Sequence, residues 1–121
     1  MGIKRFEEIE AWQDARIISK RVYALCRRDP FSKDWGLCDQ IKRASGSVMH
    51  NIAEGFDSGT NPEFIRFLTS SQRSCSEVQS HLYLALDQAY ISQDEFDQVY
   101  SGIEVVKKKI GGFIKYLSKT S

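Results

Sequence analysis

The sequence contains only two prolines and eight glycines among its 121 residues. A fold built from short strands needs a turn about every 8 to 12 residues, so this scarcity argues against an all-β protein. No stretch approaches the run of about 18 apolar residues that a membrane-spanning helix needs. The first ten residues, MGIKRFEEIE, also lack the apolar segment of a signal peptide. We therefore expect a cytoplasmic protein that does not cross a membrane.

The usual signatures of catalysis and metal binding are also missing. There is no Gly-x-Ser-x-Gly turn and no glycine-rich phosphate loop. His50 and Glu54, like Glu77 and His81, are one helical turn apart, but folding back between the two helices would separate the histidines by about 21 Å. We predict no enzymatic activity, no metal and no cofactor. The three cysteines lack metal-ligand spacing and are predicted to be buried thiols: Cys26, Cys38 and Cys75.

Neither sign of charge dominates the chain, since its formal net charge is only +1. The distribution is uneven, however. Residues 44–104 carry two basic and nine acidic side chains, whereas residues 105–121 carry five lysines and no acidic residue. A basic segment can contact a phosphate backbone, and a solvated lysine face is the alternative. The candidate nucleic-acid-binding residues are Arg43, Lys107, Lys108, Lys109, Lys115 and Lys119, which basic residues near the N-terminus (Lys4, Arg5, Lys20, Arg21, Arg27 and Arg28) could extend.

What the sequence does contain is long helical periodicity. Apolar residues recur every three or four positions in four segments, which predicts amphipathic helices from residue 6 or 9 to 28, from 35 to 56, from 62 to 89 and from 93 onwards. The first turns before residue 12 lie off the main apolar stripe, so they either wrap onto a different neighbour or form a separate lead-in. Asp29-Pro30 predicts the end of the first helix.

Two helix starts carry local signals. Asn61 is placed as an N-cap before a proline at the first helical position. Ser92 and Glu95 have the spacing of a capping box, and Ile91 and Phe96 have that of a hydrophobic staple. These signals predict where the third and fourth helices begin.

Four long helices joined by short loops predict an all-α, antiparallel up-down-up-down four-helix bundle formed by one domain over residues 1–121. The Gly111-Gly112 pair either loosens the fourth helix or admits a close neighbour, and the sequence leaves both open. Some apolar side chains lie off the main stripes, which favours a homo-oligomer. These are Ile65, Tyr83, Leu84 and Tyr100.

A polar stripe follows the second helix, and charged residues of the third helix fold back beside it. We interpret this polar seam as a half-buried network that fixes helix register or a subunit interface. The alternative is a ligand or RNA contact through Arg43 and Asn51. The seam comprises Gln40, Arg43, Asn51, Glu54, Arg66, Arg73 and Glu77.

Several motifs together resemble the bacterial four-helix proteins encoded in intervening sequences of 23S rRNA genes. They are FxxIxxWQ at 6–13, LxxQIKRA at 37–44, NIAEG at 51–55, EFIRFL at 63–68, SxxE at 74–77 and AYIS at 89–92. The resemblance implies a four-helix bundle that forms a ring-like homopentamer without enzymatic activity. The chain is also similar to the accessory protein of diversity-generating retroelements. It departs from the family pattern at Met49, where proline is usual, and at Arg73, where glycine is usual.

Two functions remain open at this stage. One is a non-enzymatic, oligomeric RNA-binding protein, which the resemblance and the basic C-terminal segment favour. The other is a protein-interaction scaffold, for example an accessory subunit of a reverse transcriptase. Salt dependence separates them, because binding to nucleic acid weakens steeply as salt rises.

Overall fold

The structure, a computed structural model, describes residues 2–120. A short 3₁₀-helix at Phe6–Glu8 leads into the first long helix, and a second 3₁₀-helix at Phe31–Lys33 precedes the second long helix. The four long helices are α1 (Glu10–Cys26), α2 (Trp35–Asp57), α3 (Asn61–Asp87) and α4 (Gln93–Thr120). No strand occurs between residues 2 and 120, which confirms the all-α prediction. Within the same residues, no helix combines the length and the apolar character needed to cross a membrane.

The four helices pack in a ring in which each contacts the next and α4 closes against α1. Short connections make consecutive helices antiparallel, as expected for an up-down-up-down bundle. One apolar core runs through the centre, and Val48, Val78 and Val106 are completely buried in it. Burial of these inward stripes is the main stabilising term, because isolated helices of this length are only marginally stable in water.

The connection from α1 to α2 is fixed by one carboxylate. Asp34 Oδ1 accepts a hydrogen bond from the Leu37 amide at 3.1 Å and so caps α2. Its other oxygen accepts a hydrogen bond from the Tyr90 hydroxyl at 3.0 Å. The Tyr90 ring stacks on buried Phe31 with 5.1 Å between centroids. The loop after α3 is thereby held against the loop before α2.

The predicted capping box of α4 is present. Glu95 N donates to Ser92 Oγ at 3.1 Å, and Ser92 N donates to Glu95 Oε1 at 2.9 Å. The staple residues Ile91 and Phe96 are both buried. The prediction for α3 was wrong by one residue, because Thr60 is the N-cap and its Oγ1 accepts a hydrogen bond from Glu63 N.

Asn61 does not cap α3 as predicted; its side chain contacts α4. Its Nδ2 atom donates to Leu117 O at 3.5 Å and to Thr120 Oγ1 at 3.3 Å. Both partners lie in the last turn of α4. Thr60 and Asn61 are both competent caps, so only the position of α4 decides which of them performs that role.

Three other helix boundaries differ in detail from the sequence pattern. The residues before α1 form the separate lead-in that the sequence had left open. Helix α1 ends at Cys26, and α3 ends at Asp87 so that Ala89 lies outside it. Helix α4 continues unbroken through Gly111-Gly112. A Cβ atom on Gly111 would lie 3.2 Å from Gln72 Nε2 of α3, so this glycine leaves room for the Gln72 side-chain amide between the two helices.

Candidate nucleic-acid interface

The consecutive lysines of α4 point to different sides, since successive helical residues are about 100° apart. The Lys107 side chain turns to α3, where Nζ lies 3.5 Å from Gln79 Oε1. Lys108 is exposed. The Lys109 side chain turns to α1. The predicted basic segment is therefore not one continuous surface, and only Lys108, Lys115 and Lys119 of its members are fully exposed.

Lys109 of α4 forms ion pairs with two acidic residues of α1. Its Nζ lies 2.6 Å from Asp14 Oδ2 and 2.7 Å from Glu10 Oε1. The hydrogen bond with Asp14, followed by that with Glu10, raises the pKa of the lysine. Glu10 and Asp14 are the two acidic residues of α1, and both are thus directed to the α4 side of that helix.

The opposite flank of α1 faces α2 and is basic. A depression between the two helices contains Tyr23, Lys42, Arg43 and His50 among its lining residues. A second depression shares Tyr23 and is otherwise lined by Ser19, Lys20 and Arg27. We call this surface the basic groove, defined by Ser19, Lys20, Tyr23, Arg27, Lys42, Arg43 and His50.

Most cations of the basic groove lack an acidic partner. Lys20, Arg27 and Lys42 form no ion pair with any residue from 2 to 120, although Lys42 Nζ lies 5.4 Å from the centroid of the Tyr23 ring. Arg43 pairs with Asp39, its Nε lying 2.9 Å from Oδ2. That pair is exposed and therefore weak, so a stronger anion can replace it.

Of the polar-seam residues, only Asn51 takes part in a hydrogen-bonded network between α2 and α3 in the described part of the chain. Asn51 Nδ2 donates to Ser47 O at 2.9 Å and to Ser47 Oγ at 3.0 Å. Ser74 Oγ of α3 donates to the same Ser47 Oγ at 2.9 Å. Nearby, the hydroxyl of buried Ser71 donates to Val48 O at 2.8 Å. Small polar residues thus join the two helices where their backbones approach.

The other six polar-seam residues are exposed and not half-buried as predicted. Gln40, Arg43 and Glu77 line a depression with His81, whose Nδ1 is buried without a hydrogen-bond partner in residues 2–120. Arg66 forms its ion pair with Glu63 at 2.8 Å, within its own helix. The remaining members, Glu54 and Arg73, are exposed and make no ion pair with a described residue.

The fold and the sequence also relate this chain to known proteins. Residues 7–112 match the family model described as 23S rRNA-intervening sequence protein. The chain belongs to this family. No curated protein sequence matches it. A crystal structure of a protein of unknown function from the S23 ribosomal protein family of Bacteroides thetaiotaomicron VPI-5482 has the same fold, with a TM-score of 0.79 and 19% identity over 87% of this chain and 98% of that chain.

The cysteines of this 23S rRNA-intervening sequence protein are buried and free, as predicted. Burial raises the pKa of Cys26 and of Cys75 to about 12. The Cys38 thiol donates to Phe31 O at 3.2 Å. Residues 2–120 contain no group of three or more His, Cys, Asp or Glu side chains that could hold a metal ion.

Sequence reasoning missed Tyr23, Lys42 and His50 as members of the basic groove. A signal for Lys20, Tyr23 and Arg27 is present, because spacings of three and four place all three on one flank of α1. Nothing in the sequence shows that this flank meets Lys42 of α2. That juxtaposition depends on how the two helices are rotated about their axes.

Proposed function

We propose that this protein is a non-enzymatic RNA-binding protein and that the basic groove between α1 and α2 is its RNA interface. The observation that carries the proposal is that the acidic residues of α1 are confined to its α4 side, so the cations on its α2 side have no acidic neighbour on that helix. Both acidic residues of that helix, Glu10 and Asp14, bind Lys109 on the α4 side. Lys20 and Arg27 are left on the other flank beside Lys42 without acidic partners.

An unpaired row of cations fits a phosphate backbone better than it fits a small ligand. The groove joins two neighbouring depressions that share Tyr23, and its polar groups include donors that can bind phosphate oxygens. The family name refers to an intervening sequence of 23S rRNA, which makes RNA the ligand to test first. An RNA ligand also implies a cytoplasmic protein.

A homo-oligomer is part of the same proposal, because assembly would repeat the groove and multiply its affinity. Exposed apolar side chains on two different faces support it. Ile17 of α1 and Val105 of α4 are 52% and 49% exposed. Tyr83 and Leu84, 50% and 49% exposed, lie on α3. Two separate patches suit a head-to-tail contact that closes a ring.

Charge reversal tests the location of the interface. Fluorescence anisotropy with a labelled RNA would compare wild type with the triple variant Lys20→Glu, Arg27→Glu, Lys42→Glu. We expect the affinity to fall by more than 10-fold and the magnitude of the slope of log K against log salt to fall by about 2, since each lost phosphate contact removes about 0.7 for a single strand.

The matched control is Lys108→Glu, Lys115→Glu, Lys119→Glu, which changes the net charge equally on exposed positions of α4. We expect it to weaken binding much less than the groove variant. The reverse order would place the interface on the C-terminal lysines. The proposal would be contradicted if the RNA affinity changed neither with salt concentration nor in either triple variant. Salt-tolerant binding of a protein would then favour the scaffold function.

A further inference from the structure

The basic groove contains an exposed aromatic ring at its centre. Tyr23 is 45% exposed and lines both depressions of the groove. Lys20 and Arg27 lie one turn before and one turn after it on α1. Lys42 Nζ of α2 lies over one face of its ring, 5.4 Å from the centroid. Cations that can bind phosphates therefore lie around an aromatic ring, and a base would stack on the face opposite Lys42.

A second exposed aromatic side chain lies on the Lys42 side of α2. Trp35 is the first residue of α2 and is 82% exposed, although an indole is among the largest apolar groups a protein can bury. It precedes Lys42 by seven residues, which places it on the same side of α2 and about 10 Å along the helix axis. Three nucleotides of a stacked strand cover about the same distance at 3.4 Å each, so a strand whose phosphate binds Lys42 is long enough to reach Trp35.

The other tryptophan, Trp12, packs against neighbouring side chains of the folded chain. Trp12 is half-buried, its ring lies 5.2 Å from that of Phe6, and Arg16 lies 5.9 Å from its centroid. Trp35 is in no such ring contact within the described residues. Its exposure therefore has no structural explanation in the folded chain.

We propose that the basic groove binds single-stranded RNA, with bases stacked on Tyr23 and Trp35 and phosphates bound by Lys20, Arg27 and Lys42. This inference rests on the proposed RNA-binding function and specifies the form of RNA. Bases in a duplex are stacked on one another and cannot reach an aromatic side chain, whereas unpaired bases can. Stacking tolerates any base, so the groove selects single strands without selecting a sequence.

The test compares two labelled probes, a 12-nucleotide oligouridine and a 12-base-pair RNA duplex, by anisotropy at the same salt concentration. We expect the single strand to bind at least 10-fold more tightly.

Tyr23→Ala and Trp35→Ala should each weaken single-strand binding about 10-fold and leave duplex binding and the salt slope unchanged. Tyr23→Phe and Trp35→Phe should retain binding, because they keep the ring. Tyr116→Ala is the control, since this tyrosine is 46% exposed on α4 outside the groove.

Fluorescence provides an independent readout. The chain has two tryptophans, so in a Trp12→Phe background the emission comes from Trp35 alone. We expect oligouridine to quench that emission by more than a third and the duplex to leave it unchanged.

Failure of this inference is distinguishable from failure of the proposed function. Equal affinity for both probes, or full affinity in both alanine variants, would overturn the stacking inference and leave RNA binding through the cations in place. Absence of binding to both probes at low salt would overturn both. Because Tyr23 and Trp35 are exposed, the variants should melt like wild type, and circular dichroism checks this.

Discussion

At the scale of single residues, Ala89 is the one non-glycine residue among residues 2–120 that has a positive φ. Its φ is +59°, in the left-handed region that glycine normally occupies. The reason is the end of α3. Tyr90 N donates to Ala85 O and Ala89 N donates to Leu86 O, each at 2.9 Å, which is the hydrogen-bond pattern of a Schellman motif. Helix α3 therefore ends in a Schellman motif although its left-handed position holds alanine and not glycine.

We predict that Ala89→Gly stabilises the protein. Glycine removes a left-handed strain of about 1–2 kcal/mol, and its greater freedom in the unfolded chain offsets part of this gain. Urea denaturation should show a free energy of unfolding higher by about 0.5–1 kcal/mol. The control is Ala24→Gly at an exposed position in the last turn of α1, which should lower the free energy of unfolding by up to about 1 kcal/mol. A loss of stability in both variants would refute the assignment of strain to Ala89.

At the scale of elements, Glu95 joins the ends of two helices. Its carboxylate caps α4 through Ser92 N and also binds Arg28, just beyond the end of α1, with distances of 2.5 and 2.9 Å. The hydrogen bond from Arg28, followed by that from Ser92, lowers the pKa of Glu95 to about 2. One side chain thus fixes a helix start and the contact between α1 and α4.

This carboxylate should make stability depend on pH. The folded-state pKa is below the ordinary value of 4.5, so the stabilisation is complete above pH 4.5 and is lost as the pH falls toward about 2. We expect Glu95→Gln to lower the free energy of unfolding by about 1 kcal/mol at pH 7, given typical capping and exposed ion-pair energies.

Chemical denaturation at a series of pH values provides the measurement. The difference between Glu95→Gln and wild type should shrink below pH 4.5 and vanish near pH 2. Arg28→Gln should remove only part of this pH-dependent stabilisation, because the capping box does not need the arginine. A difference that stays constant with pH would show that the carboxylate charge has no role.

At the scale of the whole molecule, apolar side chains remain exposed on faces that the bundle does not cover. Leu84 is 49% exposed on α3. Tyr83 precedes it on α3, about 100° around the helix axis, and forms an aromatic cluster with Phe96 and Tyr100 of α4 at centroid distances of 4.9 and 5.8 Å. Apolar and aromatic clusters of this kind are typical of the centres of protein interfaces. The proposed homo-oligomer would bury them.

We predict that Leu84→Arg dissociates the assembly. An arginine at the centre of an apolar interface is desolvated without a partner, which typically costs several kcal/mol. Light scattering should show the mass of wild type as a multiple of 13.9 kDa and that of the variant as one chain. Ser118→Arg, at an exposed position of α4, should leave the mass unchanged. A wild-type monomer, or a variant with the wild-type mass, would contradict the proposed interface.

Local signals in the sequence were sufficient wherever a structure depends on residues close together in the chain. The capping box of Ser92 and Glu95 uses a spacing of three residues and was predicted correctly. The core position of Val78 follows from helical periodicity, and this residue is completely buried. The N-cap of α3 was misplaced by one residue because Asn61 is drawn to the last turn of α4, a contact 56 residues away.

The basic groove depends on tertiary structure more than the helices and their caps do. Periodicity alone determined four amphipathic helices, their lengths within a few residues and hence the bundle, because a helix must bury its apolar stripe. It could not determine how each helix is rotated and which flanks meet. The packing of α1 against α4 directs Glu10 and Asp14 to Lys109, which divides the predicted lysine cluster. The packing of α1 against α2 brings Lys20, Tyr23 and Lys42 together, because side chains distant in sequence become neighbours only when the core is formed.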